Sequence, residues 1–342
     1  MNDAQGLIQL VDGEGVEADI LPFGAALQSL RVRDREGRTA DVVLGHASVE
    51  GYRAHRNSFF GVTIGRVANR IAKGSFSLDG QAYRIAANNG PNALHGGLKG
   101  FDTAVWRLMR RSENSVQFGY ASPDGDEGFP GSLEARVSYS LEGNALVISY
   151  EARCDRPTIV NLTNHSYFNL AGEASSEGIL DHVLTLEADS YLPVDATAIP
   201  LGAEAPVKGT AFDFRAPAAL RARVLDLGDP QIAIGGGIDH NFCLRGGVTV
   251  TPRLAATVYH PGSGRVMTMS TTTPGVQVYS GNFLDGSIKG KTGRPYPRHH
   301  ALCLECQHYP DSPNQPNFPS IRLDPGEVYR QTTIYAFSNA AG

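Results

Sequence analysis

Hydrogen-bonding side chains occupy alternate positions between residues 160 and 170. In an extended strand, alternate side chains point to the same face. A histidine amid amide and hydroxyl groups suits a site that binds hydroxyls and moves a proton. A buried histidine with satisfied hydrogen bonds in a polar layer of a sheet fits the same pattern equally well. The residues of this predicted polar face are Asn161, Thr163, His165, Tyr167 and Asn169.

The second candidate for proton transfer is Glu305, the one charged residue in the apolar segment 301–307. A carboxylate in such a strand needs a partner, or burial raises its pKa. A raised pKa is what a general base needs near neutral pH, although a structural ion pair remains the alternative. We expect the proline-rich segment 309–319 that follows to form a wall of the pocket.

Two segments in the first third of the chain place polar groups beside glycines. Asn69 and Arg70 are adjacent donors that could reach sugar hydroxyls, although an arginine on the surface fits the segment as well. His95 precedes a glycine pair that allows a sharp turn and would leave the imidazole at the end of a strand. A turn histidine with a structural role is the alternative.

Two further polar residues lie in the second half of the chain. Asp239 follows three consecutive glycines at the start of a predicted strand, where an ordinary turn aspartate would also fit. Gln277 interrupts an apolar alternation and shares a face with Tyr279. Such a glutamine lines a pocket or faces solvent, and the sequence does not separate these.

Metal and cofactor chemistry find no support in the motifs. The chain contains no HExxH, phosphate-binding loop, nucleophile elbow or dinucleotide fingerprint. Cys303 and Cys306 form a CxxC, but in a strand they point to opposite faces and cannot chelate together. The candidate histidines and carboxylates are dispersed without ligand spacing. We therefore expect no metal and no cofactor.

Composition narrows the class of protein. The chain has 342 residues and a net charge of -5, without a basic tract, which argues against nucleic acid as a partner. No apolar run approaches the roughly 20 residues of a membrane span. Residues 1–6 lack signal-peptide features, and four cysteines make no disulfide framework. We expect a soluble cytoplasmic protein.

The elements that must position these residues are mainly short strands. Alternating runs over 76–85 (with Asp-Gly at a hairpin turn), 135–141, 145–150 and 332–337 are separated by turns rich in the 39 glycines and 20 prolines. Only 48–52 and 216–220 are helix-like. No linker or repeat divides the chain. These features predict an all-β fold, a sandwich or barrel, as one antiparallel domain over residues 1–342.

Two long ordered motifs, Asn-His-Ser-Tyr-Phe-Asn-Leu at 164–170 and Gln-His-Tyr-Pro-Asp-Ser-Pro-Asn at 307–314, carry a family resemblance. With further matching segments between about residues 7 and 338, the chain resembles the aldose 1-epimerases, also called galactose mutarotases. Departures are Phe59, where a tyrosine is common, and Val67, where an aromatic residue is common. These departures affect only fine pocket packing and sugar preference.

The resemblance implies a single antiparallel β-supersandwich with a sugar cleft on its concave side. It implies that Glu305 takes the proton from the C1 hydroxyl of a free aldose, such as glucose or galactose, while His165 protonates the ring oxygen. The hemiacetal then opens, C1–C2 rotates and the ring closes with both roles reversed. His95 would position the ring oxygen, and the residues implied to bind the sugar are Asn69, Arg70, His95, His165, Tyr167, Asp239 and Gln277.

Two other functions are compatible with such a fold. A non-catalytic sugar-binding protein would tolerate the loss of Glu305 or His165, yet both are present. A hexose-6-phosphate 1-epimerase would need additional basic residues at the cleft, where the site segments show only Arg70. The sequence fixes neither the preferred sugar nor the oligomeric state, for which we expect a monomer or homodimer.

Overall fold

Short strands dominate the computed structural model, which describes residues 6–13 and 15–340. Residues 1–5, to which the expectation about signal-peptide features applies, lie outside the described residues. In chain order the strands are β1 (Ile8–Val11), β2 (Glu17–Leu21), β3 (Ala26–Arg33), β4 (Thr39–Asp41), β5 (Thr63–Ile64), β6 (Arg70–Ile71), β7 (Ser75–Leu78), β8 (Gln81–Arg84), β9 (Ala93–Leu94), β10 (Arg107–Arg111), β11 (Ser115–Ser122), β12 (Leu133–Glu142), β13 (Ala145–Cys154), β14 (Thr158–Ile159), β15 (Thr163–Asn164), β16 (Tyr167–Phe168), β17 (Val183–Leu186), β18 (Ala188–Tyr191), β19 (Ala205–Pro206), β20 (Ala218–Ala219), β21 (Asp239–Leu244), β22 (Arg253–Tyr259), β23 (Arg265–Thr271), β24 (Gly275–Tyr279), β25 (Leu302–Gln307), β26 (Arg322–Leu323) and β27 (Tyr329–Asn339).

Two large antiparallel sheets share one hydrophobic core. The nine-stranded sheet has the order β10-β11-β12-β13-β27-β23-β22-β17-β20, and the six-stranded sheet has the order β16-β25-β24-β21-β18-β19. Alternate apolar residues of β12, such as Val137, and of β25, such as Leu304, belong to the same buried cluster. A four-stranded sheet, β1-β2-β3-β4, packs against this cluster through Leu10 and Leu30. The all-β antiparallel sandwich that the sequence predicts is thereby confirmed.

The individual strand predictions hold where alternation is regular. The predicted runs 135–141, 145–150 and 332–337 lie within β12, β13 and β27. Strands β7 and β8 pair as a hairpin through Asp79 and Gly80, both at positive φ. Because each run has one polar and one apolar face, its pattern identifies it without knowledge of its partners.

Helices are few and short, as predicted. Helix α1 (Val49–Ala54) covers most of the predicted segment 48–52. The prediction for 216–220 is wrong: Ala218–Ala219 form β20, and helix α2 (Leu220–Val224) begins only at the last residue of that segment. Helix α3 (Pro230–Gly235) begins after Asp229, whose carboxylate accepts hydrogen bonds from the amides of its first turn. Among the described residues, no helix has the length and apolar character needed to cross a membrane.

Residues 160–170 do not form the single strand that their alternation predicts. Thr163–Asn164 pair with β5, whereas Tyr167–Phe168 pair with β25 of the six-stranded sheet. The segment exchanges partners within a few residues, and every side chain from 158 to 170 is buried. Alternation therefore does not separate a core face from an exposed face here.

Candidate active site

A cavity of about 610 Å³ opens on the face of the six-stranded sheet that points away from the shared core. This face carries the odd-numbered residues of β21, β24 and β25, while the apolar even-numbered residues of these strands join the core. The structure brings seven of the eight predicted site residues to the cavity wall. These are Asn69, Arg70, His95, His165, Tyr167, Asp239 and Glu305.

Glu305 lies on β25, which is flanked by β16 and β24 in the sheet. Its side chain shares a face with Cys303, whereas Leu304 and Cys306 pack into the core. Cys303 and Cys306 thus belong to different clusters, as the strand prediction requires. Glu305 is 2% exposed. Burial raises its pKa well above 4.5, repulsion from Asp239 adds to the shift, and the positive charge of Arg70 opposes it.

His165 lies beside Glu305, with its Nε2 3.5 Å from Glu305 Oε1. The backbone of His165 donates to Val62 O and accepts from Gly61 N, which fixes the imidazole over the sheet. Its ring stacks on Tyr167 with centroids 4.9 Å apart. Burial lowers the pKa of His165 to about 4, so the imidazole of the unliganded protein is neutral at pH 7.

The pKa shifts of Glu305 and His165 have opposite directions and one consequence. Both shifts favour a protonated carboxyl beside a neutral imidazole over the ion pair. In that form the pair carries one proton and no net charge. Moving that proton from Glu305 to His165 creates the carboxylate and imidazolium without changing the proton count, so the two groups titrate as a unit.

His95 completes a group of three around the cavity floor. Its Nδ1 accepts a hydrogen bond from Asn69 N at 3.2 Å, so the neutral ring carries its proton on Nε2 and can donate from there. Its ring centroid lies 5.3 Å from that of His165. Burial lowers the pKa of His95 well below 6.5, with further lowering from His165 and Arg70.

Arg70 is oriented by its neighbours. Its Nε donates to Asn89 Oδ1 at 2.9 Å, and its backbone N donates to Asn69 Oδ1 at 2.8 Å. The Nη groups remain as donors at the cavity wall.

The backbone oxygen of Arg70 accepts from Asp311 N. The proline-rich loop 309–319 thus supports β6 from behind, and since none of its residues lines the cavity, the predicted pocket wall is wrong.

Gln277 is the predicted site residue that the cavity wall does not include. Its Nε2 donates to Asp239 Oδ1 at 2.7 Å, and it lies directly opposite Glu305 in the β24–β25 pair. The structure therefore places Gln277 behind Asp239, where it orients that carboxylate toward the cavity. Its predicted contact with sugar stays a prediction.

Sequence reasoning missed much of the outer wall. Asn89 and Phe283 line the cavity, as do Arg53 in helix α1 and Arg56 in the turn that follows it. Phe59, which the family resemblance marks only as a departure, lines the cavity too. Phe283 is 70% exposed and stacks on Tyr279 with centroids 6.0 Å apart. An exposed aromatic residue is a common sugar-contacting group, but at Phe283 no alternation marks it in the sequence. The Asn-Asn-Gly at 88–90 was the available signal for Asn89.

His95, His165 and Glu305 also form a possible metal site. One ligand atom from each lies within 4.8 Å of the others. The residues are dispersed in sequence, yet the fold gathers them, so their sequence spacing does not exclude a metal. Two neutral imidazoles and a carboxylate are a donor set that Zn²⁺ accepts.

The fold places a buried carboxyl and a buried imidazole side by side in a polar cleft, an arrangement typical of enzymes that use acid–base chemistry. A family model described as aldose 1-epimerase matches residues 6–336, and the chain belongs to that family. It is accordingly an epimerase, an isomerase that acts on carbohydrates.

Individual relatives agree with this assignment. The chain is 52% identical to galactose mutarotase of Homo sapiens over 95% of its length and 92% of the relative. It is 39% identical to aldose 1-epimerase of Escherichia coli K12, over 97% and 94% of the two chains. The crystal structure of the GalM/aldose epimerase homologue from C. elegans matches with a TM-score of 0.90 and 34% identity, covering 98% of this chain and all of that one.

Proposed function

We propose that this protein interconverts the α and β anomers of free aldoses such as glucose and galactose, as one domain and without a cofactor. The observation that carries the proposal is the buried Glu305–His165 pair at the cavity floor, with its atoms 3.5 Å apart. The pair can remove one proton and supply another without any net change in its proton count. Anomerisation needs this exchange and no other chemistry.

The proposed reaction begins from the ionised form of the pair. Glu305 accepts the proton of the C1 hydroxyl as His165 gives its proton to the ring oxygen, and the bond between C1 and that oxygen breaks. The products are an open-chain aldehyde, a protonated Glu305 and a neutral His165, so protons and electrons balance. Rotation about C1–C2 presents the other face of the carbonyl. The same two groups then close the ring in the reverse sense.

The remaining wall residues would hold the sugar during this rotation. Arg70 and the Nε2 of His95 are donors, Asp239 is an acceptor, and Tyr167 packs beside His165. Arg70 also favours the carboxylate form of Glu305. Cleft residues therefore act both on the position of the sugar and on the charge of the base.

Polarimetry tests the activity directly. Freshly dissolved α-D-glucose, α-D-galactose, xylose and arabinose should each be offered to the protein, and at least one should reach its equilibrium rotation faster than in buffer. Relaxation at the buffer rate for all four sugars would contradict the proposed function.

A hexose 6-phosphate is the second candidate substrate, since Arg53 and Arg56 line the outer cavity. Both already have partners: Arg56 Nη1 donates to Leu98 O at 3.0 Å, and the Arg53 guanidinium lies 5.6 Å from the centre of the Phe23 ring. Free sugars are therefore the preferred assignment. A higher kcat/KM for glucose 6-phosphate than for glucose in the same assay would reverse it.

Arg70→Ala is expected to raise KM for the preferred sugar at least as clearly as it lowers kcat. A hydrogen bond from a charged donor contributes about 1.5–3 kcal/mol, which corresponds to a loss of roughly tenfold to a hundredfold in kcat/KM. Arg70→Lys is the matched control, because it keeps the charge near Glu305 and removes the planar fork. A variant with unchanged KM would exclude Arg70 from sugar binding.

Divalent zinc is expected to inhibit the protein rather than activate it. Zinc bound to His95, His165 and Glu305 would occupy the lone pairs that proton transfer uses, so inhibition should be competitive with sugar. Treatment with a chelator should leave kcat unchanged. Activity that disappears with chelator and returns with one added divalent ion would instead establish a metal enzyme.

A further inference from the structure

Three buried amide side chains lie in the same layer of the six-stranded sheet as Glu305. Asn241 lies opposite Gln277, and Gln277 lies opposite Glu305. Directly opposed residues of antiparallel strands have Cβ atoms about 4.5–5.5 Å apart. Gln307 follows Glu305 by two residues and shares its face. Asn241, Gln277 and Gln307, here called the amide cluster, are 2%, 3% and 0% exposed.

Gly275 brings the members of the cluster together. It lies opposite Gln307 in the β24–β25 pair. A Cβ atom at this position would lie 2.6 Å from Asn241 Oδ1 and 3.0 Å from Asn241 Nδ2. The Asn241 amide therefore lies over the Gly275 backbone, in space that any other residue would fill.

The protein does not supply hydrogen-bond partners for most of the polar atoms of the amide cluster. Within residues 6–13 and 15–340, six buried polar atoms in this layer have no hydrogen-bond partner. These atoms are Glu305 Oε2, Gln277 Oε1, Asn241 Oδ1, Asn241 Nδ2, Gln307 Oε1 and Gln307 Nε2. Buried polar groups are almost always hydrogen-bonded to protein or to ordered water. Two amide donors and several acceptors in one layer match what a water molecule offers.

We propose that the amide cluster binds ordered water beneath Glu305, and that this water donates a hydrogen bond to Glu305 Oε2. Asn241 Nδ2 and Gln307 Nε2 would donate to the water oxygen, and its second proton would go to Gln277 Oε1. Glu305 thereby has two distinct oxygens: Oε1 faces His165 and the sugar, and Oε2 faces the water. Asn241 and Gln307 are positioning residues, because they act on the base through this water.

The consequence for chemistry rests on the proposed function. A donor to Oε2 stabilises the carboxylate and so increases the fraction of the pair in its reactive ionised form. Without that donor, the alkaline limb of the pH profile, where the pair loses its only proton, should move to higher pH. The fraction of ionised pair should fall by the same factor. The loss in kcat and the shift of the alkaline limb are therefore linked: each upward shift of one pH unit should accompany a tenfold loss in kcat.

Other groups around Glu305 set its charge as well and must stay unchanged in the test. Arg70 on β6 and Asp239 on β21 carry charge, and uncharged titratable groups lie on both sides of the sheet near Glu305. On the cavity side these are His95, His165, Tyr167, Tyr279 and Cys303. On the core side they are Cys306 and Tyr335. None of them belongs to the amide cluster.

A crystal structure at high resolution tests the water directly and needs no activity. We expect an ordered water within about 3.2 Å of Glu305 Oε2 that also contacts Asn241 or Gln307. Amide side chains that bond each other or Glu305 Oε2 directly, with no water in the layer, would overturn the proposal. Because this readout is independent of mutarotation, it separates failure of the proposal from failure of the proposed function.

Isosteric apolar variants test the effect on the base. Asn241→Leu and Gln307→Met should each move the alkaline limb up by about one unit and lower kcat about tenfold, with KM unchanged. Asn241→Ser offers a hydroxyl to the water in place of the amide, so its alkaline limb and its kcat should both lie closer to wild-type values than those of Asn241→Leu. Gln28→Met is the control, since Gln28 is a buried glutamine whose amide donates to His46 O away from the cavity. Variants that lose stability but keep the wild-type pH profile and kcat would overturn the positioning role.

Discussion

Glu305→Gln is expected to lower kcat by about 10²–10⁴-fold, the range of general acid–base catalysis. Glutamine keeps the size and hydrogen-bonding capacity of a protonated carboxyl but cannot accept or release a proton. KM should change little, since Arg70, Asp239 and His95 remain at the cavity wall. The measurement is the rate of optical rotation change at several concentrations of the preferred sugar.

Although Glu305→Gln should lose activity, its thermal stability should stay the same or rise. Burial raises the pKa of Glu305 in the folded protein. A carboxyl whose pKa rises on folding binds its proton more tightly when folded, so it destabilises the protein progressively as pH rises above about 4.5. Glutamine removes that penalty, and Tm near neutral pH should be equal to or above that of the wild type. The loss of activity can then not be attributed to unfolding.

Glu173→Gln is the matched control for Glu305→Gln. Glu173 is also 2% exposed, and its Oε1 accepts from Tyr296 Oη at 2.5 Å, but it does not line the cavity. This control should cost stability and leave kcat near the wild-type value. A folded Glu305→Gln protein with near wild-type kcat would exclude Glu305 as the base.

Glu305 illustrates how far sequence reasoning reaches. Strand β25 is buried on both faces, so its sequence is mostly apolar and the single charge of Glu305 is conspicuous without knowledge of any partner strand. The resemblance to the aldose 1-epimerases assigns eight site residues, and the fold brings seven of them to one cavity. An isolated charge in an apolar run and long motifs carry this information.

Partner exchange and loop packing were beyond that reasoning. His165 lies between β15, which pairs with β5, and β16, which pairs with β25. Because the pairing partner changes at this point, the alternation around His165 does not mark one exposed face. Arg53 reaches the cavity from the short helix α1, and Phe283 reaches it from a loop that has no regular period. The distinction between Asp239, on the wall, and Gln277, behind it, depends on one hydrogen bond of 2.7 Å. These features arise from contacts between distant segments, which spacing along the chain does not encode.

His165→Asn is expected to lower kcat by a factor similar to that for Glu305→Gln, about 10²–10⁴-fold, because asparagine exchanges no proton near neutral pH. KM should again change little. The double variant should be hardly slower than either single variant, since two groups that share one proton act as a unit. His182→Asn is the control: His182 is a buried histidine whose Nε2 accepts from Leu170 N, outside the cavity wall. It should lose stability and keep kcat.

The pH dependence of the wild-type protein tests the shared proton itself. As pH falls, the pair gains a second proton when the His165 imidazole, with its pKa of about 4, becomes charged, and no base remains. As pH rises, Glu305 releases the only proton of the pair at its raised pKa, and no acid remains. Activity should therefore show a plateau between an acid limb, set by the His165 pKa of about 4, and an alkaline limb, set by the raised pKa of Glu305. In His165→Asn the acid limb near pH 4 should disappear from the residual activity. A limb that stays in place in this variant would show that another group carries the second proton, and His165 would then lose its role as the acid.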